Sequence, residues 1–324
     1  MRVIDEILGR NEFIENPPVL LDIGASGQLH EKWKDIAKHS ICIAFDADKR
    51  EMSFVEKETD NYKKLYVYNC VVSDKSSDES DFYLTRSPFC SSMLYPATKK
   101  LEDWEFADIF EVKKQIKIKT VDLPTVISEL NIQKIDWFKT DSQGIDLRLF
   151  KSLGEEIINK ILVAEFEPGI IDAYEGEDKF VDLMLYMDTN NFWMSDINIL
   201  GSKRLSKYTL EKLSEKISKN ILSTLKISPG WVEVLYFNDF KQIDLLDKRD
   251  FLLGWIFSII EGQYGFALEI ALKGFEKYDD EIFKKLEDHT LKELELNYQV
   301  ELKKYRSLSH IIKKISEKII KSRK

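Results

Sequence analysis

The residues best suited to chemistry begin at Val19-Leu-Leu-Asp-Ile-Gly-Ala-Ser-Gly27, where an apolar run breaks into an acid and two glycines and a helical pattern starts near Gln28. A buried strand that turns into a helix in this way makes a nucleotide cradle. Gly24 and Gly27 let the backbone approach a ligand that a side chain would hold off, and the helix start offers free N–H groups to an anion. Asp22 and Ser26 complete the loop, although the full G-x-G-x-x-G spacing is absent. About twenty residues further on, a second strand, Ser40-Ile-Cys-Ile-Ala-Phe-Asp46, ends in an acid at the distance where doubly wound folds bind ribose hydroxyls. Loop and acid together point to an adenosine-bearing ligand, with Asp46 as the ribose partner and Asp48 as a helix cap.

A second concentration of polar chemistry is Lys139-Thr-Asp-Ser-Gln-Gly144, where the apolar strand Ile135–Phe138 turns polar at its carboxyl end. Lys139 is placed to pair with Asp141 or to position an anionic substrate, against the default of a solvated strand-end lysine. Glu165 and Glu167 alternate with apolar residues at the end of the next strand, which puts both carboxylates on one face near the same sheet edge. Two such acids with Asp141 could ligate a divalent cation, but no histidine is close in sequence and no metal is expected. Val72, at the end of a third strand, is placed to pack on a purine, with Ser73 or Asp74 at the ring's edge. Ser91, Ser92 and Tyr95 lie in a loop able to close over a substrate. His30, just beyond the glycine loop, reads as a surface residue or cap rather than a base. Asn16-Pro17-Pro18-Val19 lacks the aromatic residue that stacks on a flipped base, so it reads as the entrance of a strand.

The elements that must position these groups alternate. Strands are expected at Val19–Ile23, Ser40–Asp46, Lys64–Val72, Asp81–Thr85, Lys114–Lys119, Asp136–Thr140, Ile161–Glu167, Asn191–Asn198 and Trp231–Asn238. Helical patterns fall near 28–39, 48–60, 122–131, 144–152, 176–190 and 207–226, after a short amphipathic helix in 1–16. This predicts an α/β protein: a Rossmann-like, doubly wound, mostly parallel sheet over residues 1–243, covered on both faces. From Asp244 the strand signals stop, and a helical appendage over 244–324 is expected in segments Leu245–Leu272, Tyr278–Leu291 and Glu293–Ile320, with Gly265 and Gly274 as interruptions. Its last stretch, 302–324, carries nine Lys or Arg against the single acid Glu317, with Leu308, Ile311, Ile312, Ile315 and Ile319 on one face. That basic amphipathic pattern suits either packing on the appendage or peripheral contact with a membrane surface.

The loop DIGASG, the strand ending AFDAD, the segment CVVSDKSSDESDFYL, the serines of CSSML, and IDWFKTDSQGIDLRLFKSL followed by ILVAEFEP occur in the order found in FkbM-type methyltransferases, and the chain resembles that family from about Pro17 to Gly169, more loosely to about Phe240. The resemblance implies a class I enzyme that uses S-adenosylmethionine. Asp22, Gly24, Ser26 and Gly27 would meet the methionine moiety, Asp46 the ribose, and Val72, Ser73 and Asp74 the adenine. It also implies O-methylation of a hydroxyl on a sugar, glycan or secondary-metabolite precursor. For that reaction Asp141 is the expected catalytic residue, since a carboxylate can orient a hydroxyl and take its proton, with Glu165 assisting. Lys139, Gln143, Glu167, Ser92 and Tyr95 are the expected substrate contacts. The family usually has an acid where Gln143 stands and apolar residues at Thr140 and Ser142. That departure keeps open a second reading, a catalytically degenerate interaction module, while a nicotinamide-dependent oxidoreductase is disfavoured by the missing third glycine.

Composition limits the rest. A 44% hydrophobic and 32% charged chain is that of a globular protein, and no apolar run approaches the roughly 20 residues of a membrane span. The formal charge of −9 argues against nonspecific nucleic-acid binding. Met1–Arg10 lacks a signal core, and the three cysteines, Cys42, Cys70 and Cys90, have no C-x-x-C spacing. Reduced thiols and a cytoplasmic location are therefore expected.

Overall fold

The computed structural model describes residues 2–25, 30–46, 61–216 and 223–322, with side chains described as far as residue 304 apart from residues 2, 214 and 216. It divides into two compact units, Met1–Leu246 and Asp247–Lys324.

The first unit is built on strands β1 (Val19–Ile23), β2 (Ile41–Phe45), β3 (Lys64–Tyr68), β4 (Val71–Ser73), β5 (Ser77–Thr85), β6 (Val112–Asp122), β7 (Trp137–Thr140), β8 (Val163–Phe166), β9 (Phe192–Ser202) and β10 (Ser228–Asn238). Seven of these form one sheet in the order β3-β2-β1-β7-β8-β10-β9 among the described residues. It is parallel from β3 to β8, and β10 runs antiparallel to both neighbours. The order reverses between β1 and β7, which makes the crevice at their carboxyl ends the switch point where open α/β sheets bind ligands. Strands β4, β6 and β5 form a small second sheet.

The period of two decides what each sheet face carries. Leu21 and Ile23 of β1, Phe138 of β7, Ala164 and Phe166 of β8, and Val232 and Val234 of β10 share one hydrophobic core with Leu149 and Phe150 of the helix Asp146–Ser152. The opposite face carries Asp22, Lys139 and Glu165, aligned in register across β1, β7 and β8. Phe138, Phe150 and Phe166 pack edge-on or tilted at 5.2 to 5.8 Å between ring centres, holding the carboxyl ends of β7 and β8 level.

Several boundaries differ from those expected. The predicted strand Lys64–Val72 is two strands in two sheets. Tyr68 ends the pairing with β2, the chain crosses at Asn69-Cys70, and Val71–Ser73 pairs with β6. A continuous apolar alternation does not record a change of hydrogen-bonding partner. The N-terminal helix breaks into Arg2–Leu8 and Asn11–Glu15. The pattern near 28–39 yields, in its described part, a 3-10 turn at Glu31–Trp33 and a helical turn at Lys34–Ala37. The helix expected over 48–60 lies outside the described residues.

The second unit consists of helices Lys248–Ile260, Tyr264–Tyr278 and Glu281–Ser322. Asp247 and Asp250 close the first helix's start as a reciprocal capping box. The break expected at Gly265 falls at Gly262, which has φ +68°. Gly274 does not interrupt its helix either: an added Cβ would collide with the Phe283 ring, so it lets two helices approach. The predicted break near Lys292 is absent because no glycine or proline stops the chain there. The apolar residues expected on one face of 302–324 have side chains outside the described set. No described helix is long and apolar enough to cross a membrane.

Candidate active site

Three parallel strands end side by side and bring Gly24, Asp141 and Glu167 to one rim. Gly24 follows β1 with φ +81°, and its N–H donates to the Phe45 carbonyl at 2.9 Å. A Cβ there would strike the Asp141 carbonyl oxygen. The glycine is therefore required first by the neighbouring strand end, beyond any approach of a ligand. Gly24→Ala is expected to lose about 2 kcal/mol or more of stability, from the disallowed φ alone, and to displace Asp141; a melting temperature within a degree of wild type would refute this.

One cavity opens against the ends of β1 and β2. Phe45, Val71, Val72 and Phe82 form its apolar walls, Asp46 lies at its edge, and Gly24, Asp141 and Gln143 close the side toward β7. The Phe45 ring is backed by Tyr68, stacked at 5.0 Å. Flat apolar walls with a carboxylate at one end suit a purine and its ribose. The structure thus gathers Gly24, Asp46 and Val72 as expected. It does not bring Asp22, Ser73 or Asp74 here. Asp22 points to the other sheet face, Ser73 is buried with its hydroxyl donating to Asp74 at 3.1 Å, and Asp74 is exposed. Ser26, Gly27 and Asp48 lie outside the described residues.

A second cavity, of about 480 Å³, adjoins the first and shares Phe89, Asp141 and Gln143 with it. Phe106, Phe110, Tyr174 and Trp231 line it as a linked set of rings, with neighbouring centres 5.4 to 6.1 Å apart. Glu167 lines this cavity, whereas Glu165 does not. Ser92 is buried and acts through the backbone, its hydroxyl donating to the Gln143 carbonyl at 2.7 Å. Tyr95 packs edge-on against Tyr83 at 5.2 Å and lines neither cavity.

At the junction, Gln143 adopts φ +59° and turns its amide between two partners. Its Nε2 donates to Asp141 Oδ1, and its Oε1 accepts from the Tyr174 hydroxyl at 2.8 Å. The loop is held from below by the buried Asp146. That carboxylate accepts from Thr140 Oγ1 at 2.8 Å, Ser142 N at 2.9 Å and Ser142 Oγ at 2.6 Å. This accounts for the polar residues at Thr140 and Ser142: both bind Asp146. Burial pushes the Asp141 carboxyl up to about 6, with Lys139 pulling it back. Burial, then the charges of Asp141 and Glu233, push Glu167 up to about 9. Of the two, Glu167 is therefore the acid that holds a proton more readily.

Lys139 is neither solvated nor paired with Asp141. Its Nζ meets Asp22 Oδ1 at 2.9 Å, with Asp22 only 1% exposed. Burial pushes the Asp22 carboxyl up, with Lys139 pulling it back, and also works against the ammonium, but the carboxylates of Asp22 and Asp141 hold Lys139 above its ordinary value. Glu165 continues the row and lines a third, polar cavity with His30, whose Nε2 lies 3.7 Å from Glu165 Oε1. Burial, followed by the charge of Lys139, lowers His30 to about 4, leaving the imidazole neutral. Among the described residues no group of three or more His, Cys, Asp or Glu is placed to hold a metal ion.

The sequence profile of the FkbM methyltransferase domain matches residues 30–194, about half of the chain. The chain belongs to the FkbM methyltransferase family. No curated protein and no solved structure matched it. The matched segment of this FkbM-family methyltransferase runs from the turn before β2 into β9. It includes Asp46, the Asp141–Gly144 loop and Glu167, and begins after the glycine loop. Asp146, Tyr174 and Trp231 escaped the sequence reading. Asp146 carried a local signal, an acid in the first turn of a helix. Tyr174 and Trp231 reach the site from loop and strand far along the chain, and nothing local marks them.

Proposed function

We propose that this methyltransferase transfers a methyl group from S-adenosylmethionine to a hydroxyl oxygen of a sugar, glycan or secondary-metabolite precursor. The observation that carries this reading is the junction itself: a purine-shaped cavity and an aromatic cavity meet at Asp141 and Gln143. The first would take the adenosine, with Asp46 on the ribose and Val72 and Phe45 against the ring. When bound, S-adenosylmethionine supplies an electrophilic methyl group on a sulfonium. Asp141 accepts the proton of an acceptor hydroxyl and aligns its oxygen. Gln143 and Tyr174 fix which Asp141 oxygen faces the acceptor. The amide at 143 is tied into this network on both sides, which argues for a working site over a degenerate one.

Calorimetric titration with S-adenosylmethionine and S-adenosylhomocysteine, with NADH as control, tests the donor. Micromolar binding of the first two alone is expected. Asp46→Ala should weaken it by about 10- to 100-fold, the loss of a charge-assisted hydrogen bond. Tighter binding of NADH, or an Asp46→Ala variant with wild-type affinity, would overturn the assignment.

A further inference from the structure

The aromatic cavity has a charge character that the methyl-transfer reading leaves unused. Among the described residues lining it, none is Lys, Arg or His, while Asp141, Glu167 and Glu177 all contribute carboxyl groups. Glu177 is committed, accepting from the Ala173 N–H at 2.8 Å and pairing with Lys179 at 3.3 Å. Asp141 is bound by Gln143. Glu167 makes no side-chain hydrogen bond or ion pair with any described residue, although it is half-buried in the lining of the cavity that also holds the four aromatic rings. Faces of Trp, Tyr and Phe attract cations, most strongly where water is excluded, and a facing carboxylate adds to the attraction. A phosphate, carboxylate or nucleotide-linked sugar would meet three carboxyl groups there and no cationic side chain among the described lining residues.

We infer that the acceptor is an amino alcohol, bound with its protonated amine between Glu167 and the aromatic wall formed by Trp231, Phe106, Phe110 and Tyr174. The inference rests on the reading of this cavity as the acceptor site and names the acceptor's class. It separates neutral and cationic acceptors from the anionic, nucleotide-activated ones. The groups that act on Glu167 are Asp141 and Asp146 from the β7 loop and helix, Glu233 from β10, and Lys139 from β7. In their field the free Glu167 holds its proton at neutral pH, and an arriving ammonium makes it ionise. Binding therefore releases a proton to solvent.

The test is affinity for three probes of one shape and different charge, benzylamine, benzyl alcohol and benzoate, measured on the full chain saturated with S-adenosylhomocysteine and again without it. Benzylamine is expected to bind about tenfold tighter than the alcohol, with benzoate weakest. Calorimetry in two buffers of different ionisation enthalpy should show proton release for the amine alone. Glu167→Gln should abolish both the preference and the release. Trp231→Leu, which leaves the acids in place, should reduce the preference. Benzoate binding as tightly as benzylamine, an unchanged preference in Glu167→Gln, or binding of none of the three at millimolar concentration would overturn the inference. Failure to bind S-adenosylhomocysteine would strike the methyl-donor reading separately, since the probe order can be read without it.

Discussion

Asp141→Asn is expected to lower kcat by about 100- to 10,000-fold, the range for removing a positioned general base, while S-adenosylhomocysteine affinity changes little. The substitution keeps the shape and the contact with Gln143 but removes the charge and the proton acceptor. The pH profile should change with it. The wild-type carboxyl is pushed up to about 6, and a base must be deprotonated, so kcat/KM should fall as pH drops through that region and hold above it. The Asn variant should lose this acid limb. Equal losses in turnover and donor affinity would assign Asp141 to the donor cavity, which it also lines, instead of to the chemistry.

Lys139→Met should destabilise the protein by about 3–5 kcal/mol at neutral pH, the cost of leaving a buried carboxylate without its partner. Asp22 is 1% exposed and Lys139 16%, so solvent screens the pair little. Without the ammonium, the folded-state pKa of Asp22 rises further above its unfolded value. The folded variant then binds a proton that the unfolded chain does not, so its deficit should shrink as pH falls from 7.5 toward 5. Denaturant melts at both pH values measure this. The double variant Asp22→Asn, Lys139→Met should recover much of the loss. If the single variant melts like wild type, Lys139 does not neutralise the row, and its placement as a structural cation is wrong.

These two residues also show where sequence reading reaches its limit. Asp141 was legible because a strand that turns from apolar to polar at its carboxyl end marks a sheet edge where ligands gather. Lys139 was legible as a charge but not as a partner. Its neighbour on β1 is 117 positions away and is set only by the register of β1 against β7. Glu165 and Glu167 illustrate the same limit. Alternation placed them together and both line the polar third cavity, yet only Glu167, past the end of β8, also lines the aromatic cavity. Ser92 and Tyr95 are in the expected loop, but packing turned one toward a backbone carbonyl and the other against Tyr83.

By itself the sequence determined the alternating strand and helix order, the parallel sheet, the helical second unit, and the rim residues Gly24, Asp46, Asp141 and Glu167. All of these follow from period, turn chemistry and position at strand ends, which are local properties of the chain. Only the tertiary structure decided that Gly24 makes room for Asp141, that Gln143 joins Asp141 to Tyr174, that Asp22 belongs to Lys139, and that rings from three separate segments line one cavity with Glu167. Those are contacts between residues distant in sequence, fixed by strand register and by the packing of loops above the sheet. No periodicity along the chain encodes which distant group a side chain will meet.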